Sequence, residues 1–199
     1  MARWEPDAQG RLKVAAFTLF VERGYAEVTV AEIADRAGLT KRTFFNHFAD
    51  KRDVLFAGAD ALEASIVQHL VDADEDLDPL DAVVLALTLA SQEMAQYGDS
   101  ARARRDLIAS SVELQERERV KMASLAAAIG ETLEKRGVAT RAATLTAHVA
   151  LTVFDTAFDE WVDDPTRDVD TLMQKALSDV RAVAAGPREP KRQAAASAR

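Results

Sequence analysis

The chain has 199 residues, of which 48% are apolar and 29% are charged, and its formal net charge is −8. The apolar fraction is large enough to form a buried core, and the charged fraction is too large for a membrane protein. No apolar run approaches the roughly 18–20 residues that a membrane-spanning helix needs. The sequence contains no cysteine, which excludes disulfides, thiolate metal sites and cysteine nucleophiles.

The negative charge is unevenly distributed along the chain. Residues 1–60 contain nine basic and nine acidic residues, so the whole acidic excess lies in residues 61–199. Between residues 40 and 52, four basic residues are accompanied by a single acidic one, Asp50. The overall acidity speaks against a nucleic-acid partner, but charge is better judged segment by segment. The alternative to a nucleic-acid contact, for so short a basic cluster, is an ordinary helix surface exposed to solvent.

The N-terminal segment predicts short helices with clear start and stop signals. Its first ten residues are polar and carry both signs of charge, so we expect no secretory signal and a cytoplasmic protein. A first helix is predicted over about 7–23, ending at Gly24, a residue suited to the left-handed stop position. Thr29 and Glu32 form a capping box that starts a second helix, which should end at Gly38.

The remaining segments also have helical spacing, and strand-like alternation is absent. Thr40 is predicted to cap a third short helix, and Asp50 a fourth that runs over about 51–71. Five further helices are predicted over about 79–97, 101–109, 111–136, 140–162 and 169–185. Their caps are expected to be Asp78, Ser110 (in a capping box with Glu113), Thr140 and Asp168.

These elements predict an all-α protein of about nine helices. We expect a three-helix DNA-binding domain with a helix-turn-helix over residues 1–50 and a helical ligand-binding and dimerisation domain over residues 51–186. Residues 187–199 have no apolar face to bury and are expected to be disordered.

The second and third helices, joined by a tight glycine-containing turn, have the arrangement of a helix-turn-helix, whose second helix enters the major groove. At 100° per residue, Phe44 and Phe48 fall on one side of the third helix and should be buried. The opposite side is centred on Asn46, with Arg42 and Thr43 beside it. An arginine fork matches guanine O6 and N7, and an asparagine amide matches adenine N6 and N7.

Other side chains of this segment are suited to the DNA backbone. The Thr40 hydroxyl and Lys51, at the start of the next helix, are phosphate-type contacts. Phe45 and His47 lie on the flanks of the third helix, where the sugar and phosphate walls of the groove would be met. Each of these residues alone would be an ordinary surface residue, and only their joint spacing favours DNA binding.

The run TVAEIADRAGLTKRTFFNHFADK at residues 29–51, with FVERGY at residues 20–25 before it, resembles the DNA-binding domain of the tetracycline-repressor (TetR) family. The resemblance covers residues 8–56. It implies a regulator that binds a palindromic double-stranded DNA operator as a homodimer. It also implies that the last two helices of each subunit form a four-helix bundle, and that a small molecule in the C-terminal domain releases the operator.

The resemblance also implies roles for single residues. It places Lys41, Arg42, Thr43 and Asn46 where the family reads bases. It places the backbone contacts at Thr29, Thr40, Phe45, His47 and Lys51. The family commonly has tyrosine where this chain has Phe45, so the phosphate bond of that hydroxyl is missing. Phe45 can still contact a sugar or a thymine methyl group.

The last two helices, about 140–162 and 169–185, are expected to form the homodimer interface. The first of them is apolar around most of its circumference, and such a helix must be buried on both sides. Its apolar residues are Ala143, Leu145, Ala147, Val149, Ala150, Leu151, Val153, Phe154, Ala157, Phe158 and Trp161. The last helix offers a matching stripe of Leu172, Met173, Ala176, Leu177, Val180 and Val183. A two-fold bundle is the economical interpretation, and packing within one monomer is the alternative.

A pocket for a mainly hydrophobic small-molecule effector is expected in the C-terminal body. Methionine and aromatic side chains suit an adaptable apolar pocket, and a single polar group could orient the ligand. The candidates are Met94, Tyr97, Met122, His148, Phe154, Asp155, Phe158 and Trp161. For each of them, an ordinary place in the core or on a helix surface is the alternative.

Two other classes of function compete with a DNA-binding regulator. An enzyme is disfavoured because the three histidines are far apart and no paired Glu-x-x-His motif, phosphate loop or nucleophile elbow is present. We therefore predict no catalytic residues, no metal and no cofactor. A pure interaction bundle would leave Arg42, Thr43 and Asn46 unexplained on a helix whose other face carries two phenylalanines.

Overall fold

A computed structural model describes residues 7–94 and 98–186, and within these ranges the chain forms ten α-helices and no strand. The helices are α1 (Ala8–Arg23), α2 (Val30–Arg36), α3 (Lys41–His47), α4 (Lys51–Leu55), α5 (Ala59–Asp72), α6 (Pro79–Met94), α7 (Gly98–Ala109), α8 (Val112–Lys135), α9 (Thr140–Asp163) and α10 (Val169–Ala185). The all-α prediction is confirmed. The predicted tail, 187–199, and the predicted end of the helix at Tyr97 lie outside the described residues.

The structure has one helix more than predicted because the fourth helix is broken. The chain leaves α4 at Phe56, and Gly58 adopts φ 103° immediately before α5. A left-handed residue cannot continue a right-handed helix, and glycine adopts this conformation without a steric penalty. The buried side chain of Phe56, 5% exposed, lies at this break.

Most of the predicted helix caps are present. In the capping box of α2, the Thr29 hydroxyl oxygen accepts from the Glu32 N–H, and the Glu32 carboxylate accepts from the Thr29 N–H at 2.8 Å. The Thr40 hydroxyl accepts from the Thr43 N–H at 3.0 Å. The carboxylates of Asp50 and Asp168 likewise cap α4 and α10. Local sequence therefore sets where these helices begin.

Two predicted caps are wrong. The Ser110 hydroxyl donates to the Leu107 carbonyl at 2.7 Å, so it bonds back to the end of α7, and α8 begins only after Ser111. Thr140 is itself the first residue of α9, and the extended residue before it is Ala139. Alanine has no side-chain acceptor, so α9 starts without a side-chain cap.

The buried side chains form two clusters, which we call the head core and the body core. The body core is built by helices α5, α6, α8, α9 and α10. The head core is built by α1–α4 together with Leu107, Ile108 and Leu114, which come from the corner between α7 and α8. The head is therefore completed by residues of the body, and the predicted domain boundary after residue 50 stays a prediction.

In the ranges that the structure describes, no helix is long and apolar enough to cross a membrane.

Leu114→Ala is expected to lower the free energy of unfolding by about 2–5 kcal/mol, because Leu114 is 0% exposed and its loss leaves a cavity under the head. Val112→Ala is the matched control, since Val112 lies two residues earlier in α8 and is 68% exposed, and its effect should stay within about 0.5 kcal/mol. Urea unfolding measures both. Equal, small effects would contradict the place of Leu114 in the head core.

Candidate nucleic-acid interface

The turn between α2 and α3 is held by backbone bonds and by one long side chain. Gly38 adopts φ 67°, and the Leu39 N–H donates to the Ala34 carbonyl at 2.8 Å. The Arg11 guanidinium of α1 donates to the Ala37 carbonyl. A Cβ atom at Gly38 would lie 2.8 Å from that guanidinium. The positive φ angle favours glycine at this position, and a larger residue would also displace the Arg11 guanidinium.

The two faces of α3 lie as the spacing predicted. Phe44 is 0% exposed and Phe48 5% exposed, and both are part of the head core. Arg42 and Asn46 are exposed on the other side, and Thr43 is half-buried beside them. The buried phenylalanines fix the rotation of α3, so the polar face must point away from the protein. That these residues read bases stays a prediction.

Lys41 and Arg42 are the charged residues at the start of α3. Both are exposed, and neither forms an ion pair within the described ranges. In contrast, Arg23 pairs with Glu32 at 2.7 Å and Arg36 pairs with Glu22 at 2.9 Å. Lys41 and Arg42 therefore leave positive charge without an ion-pair partner at the start of α3, and this charge would attract a phosphate backbone.

Of the predicted backbone contacts, the two threonines act as caps. The Thr29 hydroxyl, the Thr29 N–H and the Arg23 guanidinium all donate to the Glu32 carboxylate. These hydrogen bonds lower the pKa of Glu32 to about 2. The Thr40 hydroxyl lies 2.9 Å from that of Thr43. Both threonines are exposed, so contact with a phosphate stays a prediction for them.

Phe45 and His47 lie on the flanks of α3, where the sequence placed them. Phe45 is 56% exposed although it is a large apolar side chain, and its ring meets that of Phe44 edge-on with 5.5 Å between centroids. His47 is exposed at the end of the helix. That the exposed Phe45 ring contacts a sugar or a thymine methyl group stays a prediction.

Lys51 is placed differently from the other candidates. Its ammonium donates to the backbone carbonyls of Tyr25 at 2.8 Å, Val28 at 3.1 Å and Ala26 at 3.4 Å, and it lies 4.2 Å from the centroid of the Tyr25 ring. An ammonium has three N–H donors. All three therefore have backbone partners within the head, and the predicted phosphate contact stays a prediction.

Two side chains of α8 tie the body to both ends of the helix-turn-helix. Glu113 accepts from the Tyr25 hydroxyl at 3.2 Å, just before α2. Arg117, one turn further along α8, donates to Asp53 at 2.7 Å, and Asp53 accepts from the Ala49 N–H just after α3 at 3.2 Å. The position of α8 and the positions of α2 and α3 are therefore linked.

The candidate effector site is a groove of about 500 Å³ between α7, α8 and α9. It is lined by Ile108, Gln115, Glu118, Arg119, Met122, Ala123, His148 and Leu151. Met122 and His148 were predicted from sequence. The others were not, because they become neighbours only when three helices pack together, and no local pattern marks them.

Phe154, Phe158 and Trp161 are not among the residues that line this groove. Phe154 and Phe158 stack with 5.6 Å between centroids and pack against the body core, and Trp161 is 7% exposed within it. Met94 ends α6, but its side chain lies outside the described residues, as does Tyr97. Their predicted role in ligand binding stays a prediction.

Asp155 carries the most perturbed carboxyl group of the body. Desolvation by the surrounding protein raises its pKa to about 6, with the negative charges of Asp159 and Glu118 as further causes, although the residue as a whole remains exposed. No basic side chain in the described part of the body forms an ion pair with it. Glu118, one of these negative charges, also lines the groove.

The apolar residues of the last two helices are largely used within the monomer. The buried ones in α9 are Ala143, Ala147, Ala150, Leu151, Val153, Ala157, Trp161 and Val162, and those in α10 are Leu172, Met173, Ala176 and Leu177. All of them belong to the body core. Leu145 and Val183 remain exposed, at 58% and 83%. A dimer would have to use these exposed faces rather than the predicted stripes as a whole.

Comparison with known families assigns both parts of the chain. Residues 13–57 match the model of the bacterial regulatory proteins of the tetR family, and residues 77–185, more than half of the chain, match the MftR C-terminal domain. The HTH-type transcriptional activator FasR of Mycolicibacterium smegmatis is 34% identical over 84 residues, which are 40% of this chain and 38% of FasR. The regulator TtgR of Pseudomonas putida is 31% identical over 99 residues, 50% of this chain and 47% of TtgR. The chain spans less than half the length of these curated relatives.

Solved structures share the fold at low identity. The fatty acid degradation regulator FadR from Bacillus halodurans has a TM-score of 0.61 at 19% identity, covering 94% of this chain and 100% of that one. SmeT, the repressor of a multidrug efflux pump of Stenotrophomonas maltophilia, has a TM-score of 0.57 at 19% identity, covering 88% of this chain and 89% of that one.

The chain has a helix-turn-helix that exposes Arg42 and Asn46, and a helical body that contains a groove. This arrangement is typical of helix-turn-helix transcriptional regulators. The chain belongs to the TetR family of bacterial regulatory proteins, whose members are DNA-binding regulators and not enzymes.

Arg42→Ala is expected to weaken operator binding by about 1–3 kcal/mol and to relax selectivity at one base pair, because the guanidinium is exposed on the reading face. Lys135→Ala is the control, since it removes one exposed charge at the far end of α8. Gel-shift titrations on operator and single-base variants measure both. Unchanged affinity and selectivity for Arg42→Ala would refute the assignment.

Asp155→Asn is expected to raise the thermal midpoint at pH 7.5. Folding raises the pKa of this carboxyl group to about 6, so its ionisation destabilises the folded state. The loss of folding stability is absent below the pKa of the unfolded chain, grows as the pH rises, and is complete above about pH 6. The difference from wild type should therefore vanish near pH 4. Glu116→Gln, an exposed carboxylate on α8, should show no such pattern. A variant less stable than wild type at pH 7.5 would contradict the direction of the pKa change.

Proposed function

We propose that this protein is a ligand-responsive transcriptional repressor that binds a palindromic operator as a homodimer and is released by a small, mainly hydrophobic effector. The observation that carries the proposal is the division of α3 into two faces. Phe44 is completely buried while Arg42 and Asn46 point outwards with donors that match base edges.

A homodimer is supported by the exposed faces of α9 and α10. Leu145 is 58% exposed on α9, and Val183 is 83% exposed on α10. A large apolar side chain on a helix that already packs its other faces is suited to contact with a second copy. Two copies related by a two-fold axis would present two reading helices to the two halves of a palindrome.

A mainly hydrophobic effector is supported by the lining of the groove. Ile108, Met122, Ala123 and Leu151 supply apolar surface, and His148 and Arg119 supply polar groups at its side. Among proteins of similar fold, FadR from Bacillus subtilis has been solved in complex with stearoyl-CoA and SmeT with triclosan. Both ligands carry extended apolar parts, which makes them suitable first probes.

Release of DNA is supported by residues that the groove shares with the head. Ile108 lines the groove and is also part of the head core. Glu118 lines the groove and accepts from Arg104 at 3.1 Å, and the Arg104 guanidinium lies 5.3 Å from the centroid of the Phe56 ring. A ligand that displaces Ile108 or Glu118 would therefore disturb the packing of the head.

Selection of binding sites from random duplex DNA tests the proposal directly. We expect a palindromic sequence to be recovered, and stearoyl-CoA or triclosan to lower the affinity for it. A reporter gene behind that sequence should be silenced by the protein. Recovery of no preferred sequence would refute the proposed function, and activation of the reporter would refute the repressor assignment alone.

Leu145→Arg is expected to convert the dimer to a monomer, because a charged side chain in the proposed contact must be desolvated without a partner. Val120→Arg is the matched control, since Val120 is 60% exposed on α8, outside the proposed interface, and this variant should remain dimeric. Size-exclusion chromatography with light scattering measures both. A monomeric wild type, or a dimeric Leu145→Arg variant, would contradict the interface.

A further inference from the structure

Lys51 holds together the two ends of the chain segment that contains the helix-turn-helix. Its ammonium bonds to carbonyls 23, 25 and 26 residues earlier in the chain, and α2, the turn and α3 all lie between these points. The three carbonyls belong to the connection between α1 and α2. The bonds therefore close the helix-turn-helix segment into a loop.

The carbonyls of the connection that Lys51 binds have few other partners. Between residues 24 and 28, the Val28 N–H reaches the Tyr25 carbonyl at 3.5 Å, and the Arg23 guanidinium donates to the Glu27 carbonyl at 3.3 Å. Tyr25 and Val28 are nevertheless buried, at 5% and 1% exposure, so their carbonyl groups need partners. A charged donor supplies stronger bonds than a neutral one, and the Tyr25 ring adds a cation–π contact to the same ammonium.

We propose that Lys51 is a positioning residue that sets α2 and α3 relative to α4, and that its ammonium does not contact phosphate. Val28 directly precedes Thr29, the cap of α2, so movement of the carbonyl at Val28 would move the start of α2. To reach a phosphate, the ammonium would have to give up bonds that it already makes. This assigns a role different from the phosphate contact that the family resemblance implies.

Chemical acetylation of the wild-type protein tests the geometry without any variant. Free lysine amines react readily, but the Lys51 nitrogen must first break bonds to carbonyls, each of which is worth roughly a factor of ten. We expect Lys51 to be modified at least about tenfold more slowly than the exposed Lys13 and Lys41, with and without DNA. Site-resolved mass spectrometry measures the rates. Reaction of Lys51 as fast as that of Lys13 in the free protein would overturn the proposal.

The salt dependence of DNA binding separates positioning from a phosphate contact. Removing one side chain that neutralises a phosphate lowers the slope of log affinity against log salt concentration by about 0.9. Lys51→Met should lower affinity by about tenfold at every salt concentration with an unchanged slope, whereas Lys41→Met should lower the slope. Lys135→Met should change neither. Unfolding in urea gives the folded fraction to which each affinity is corrected.

Two results of this titration would overturn the proposal. A slope lowered in Lys51→Met as in Lys41→Met would show a phosphate contact. An unchanged affinity of folded Lys51→Met would show a residue that only stabilises the fold. The affinity measurement rests on the operator binding proposed above. If the wild type binds no DNA, that function fails, while the acetylation rates still decide where the ammonium lies.

Discussion

The packing of the α7–α8 corner into the head core is the constraint on which the rest of the structure depends. Leu114 is completely buried there, and Leu107 and Ile108 lie beside it. The head supplies most of its own buried residues, but a unit of this size is hard to stabilise alone, and Leu107, Ile108 and Leu114 of the body complete its core. Because the missing part of its core comes from the body, the head cannot change its position without changing the packing of α7 and α8.

Hydrogen bonds also join the head to α8 of the body. Glu113 and Arg117 lie one turn apart on α8 and reach the two ends of the helix-turn-helix, through Tyr25 and Asp53. Lys51 then joins these ends from within the head. Neighbouring side chains of α8 line the groove, so the same helix contacts both the candidate effector site and the residues that hold the two ends of the helix-turn-helix. The acidic excess of the body also leaves the exposed Lys41 and Arg42 as the favourable place for a polyanion to approach the head.

Features that depend on residues a few positions apart could be predicted from the sequence. The caps at Thr29 and Thr40 need only an acceptor two or three residues before a free N–H, and the buried and exposed faces of α3 follow from 100° per residue. Ser110 and Thr140 show the limit of this approach. Each has a hydroxyl that could cap a helix, but neither is the residue with extended backbone that precedes the helix. That residue is Ser111 before α8 and Ala139 before α9. The break at Gly58 was missed because the flanking residues on both sides favour a helix.

The sequence by itself determined the fold class, the helix-turn-helix and the outward face of Arg42 and Asn46, since these are set by local spacing and by the burial of Phe44 and Phe48. Only the tertiary structure decided that Ile108 and Glu118 line a groove, that most apolar residues of α9 and α10 serve the monomer's own core, and that the Lys51 ammonium is directed into the protein. The physical reason is that these features depend on side chains far apart in sequence. Which of the apolar and charged groups meet is set by how the helices pack, and helical periodicity fixes a face but not its partner.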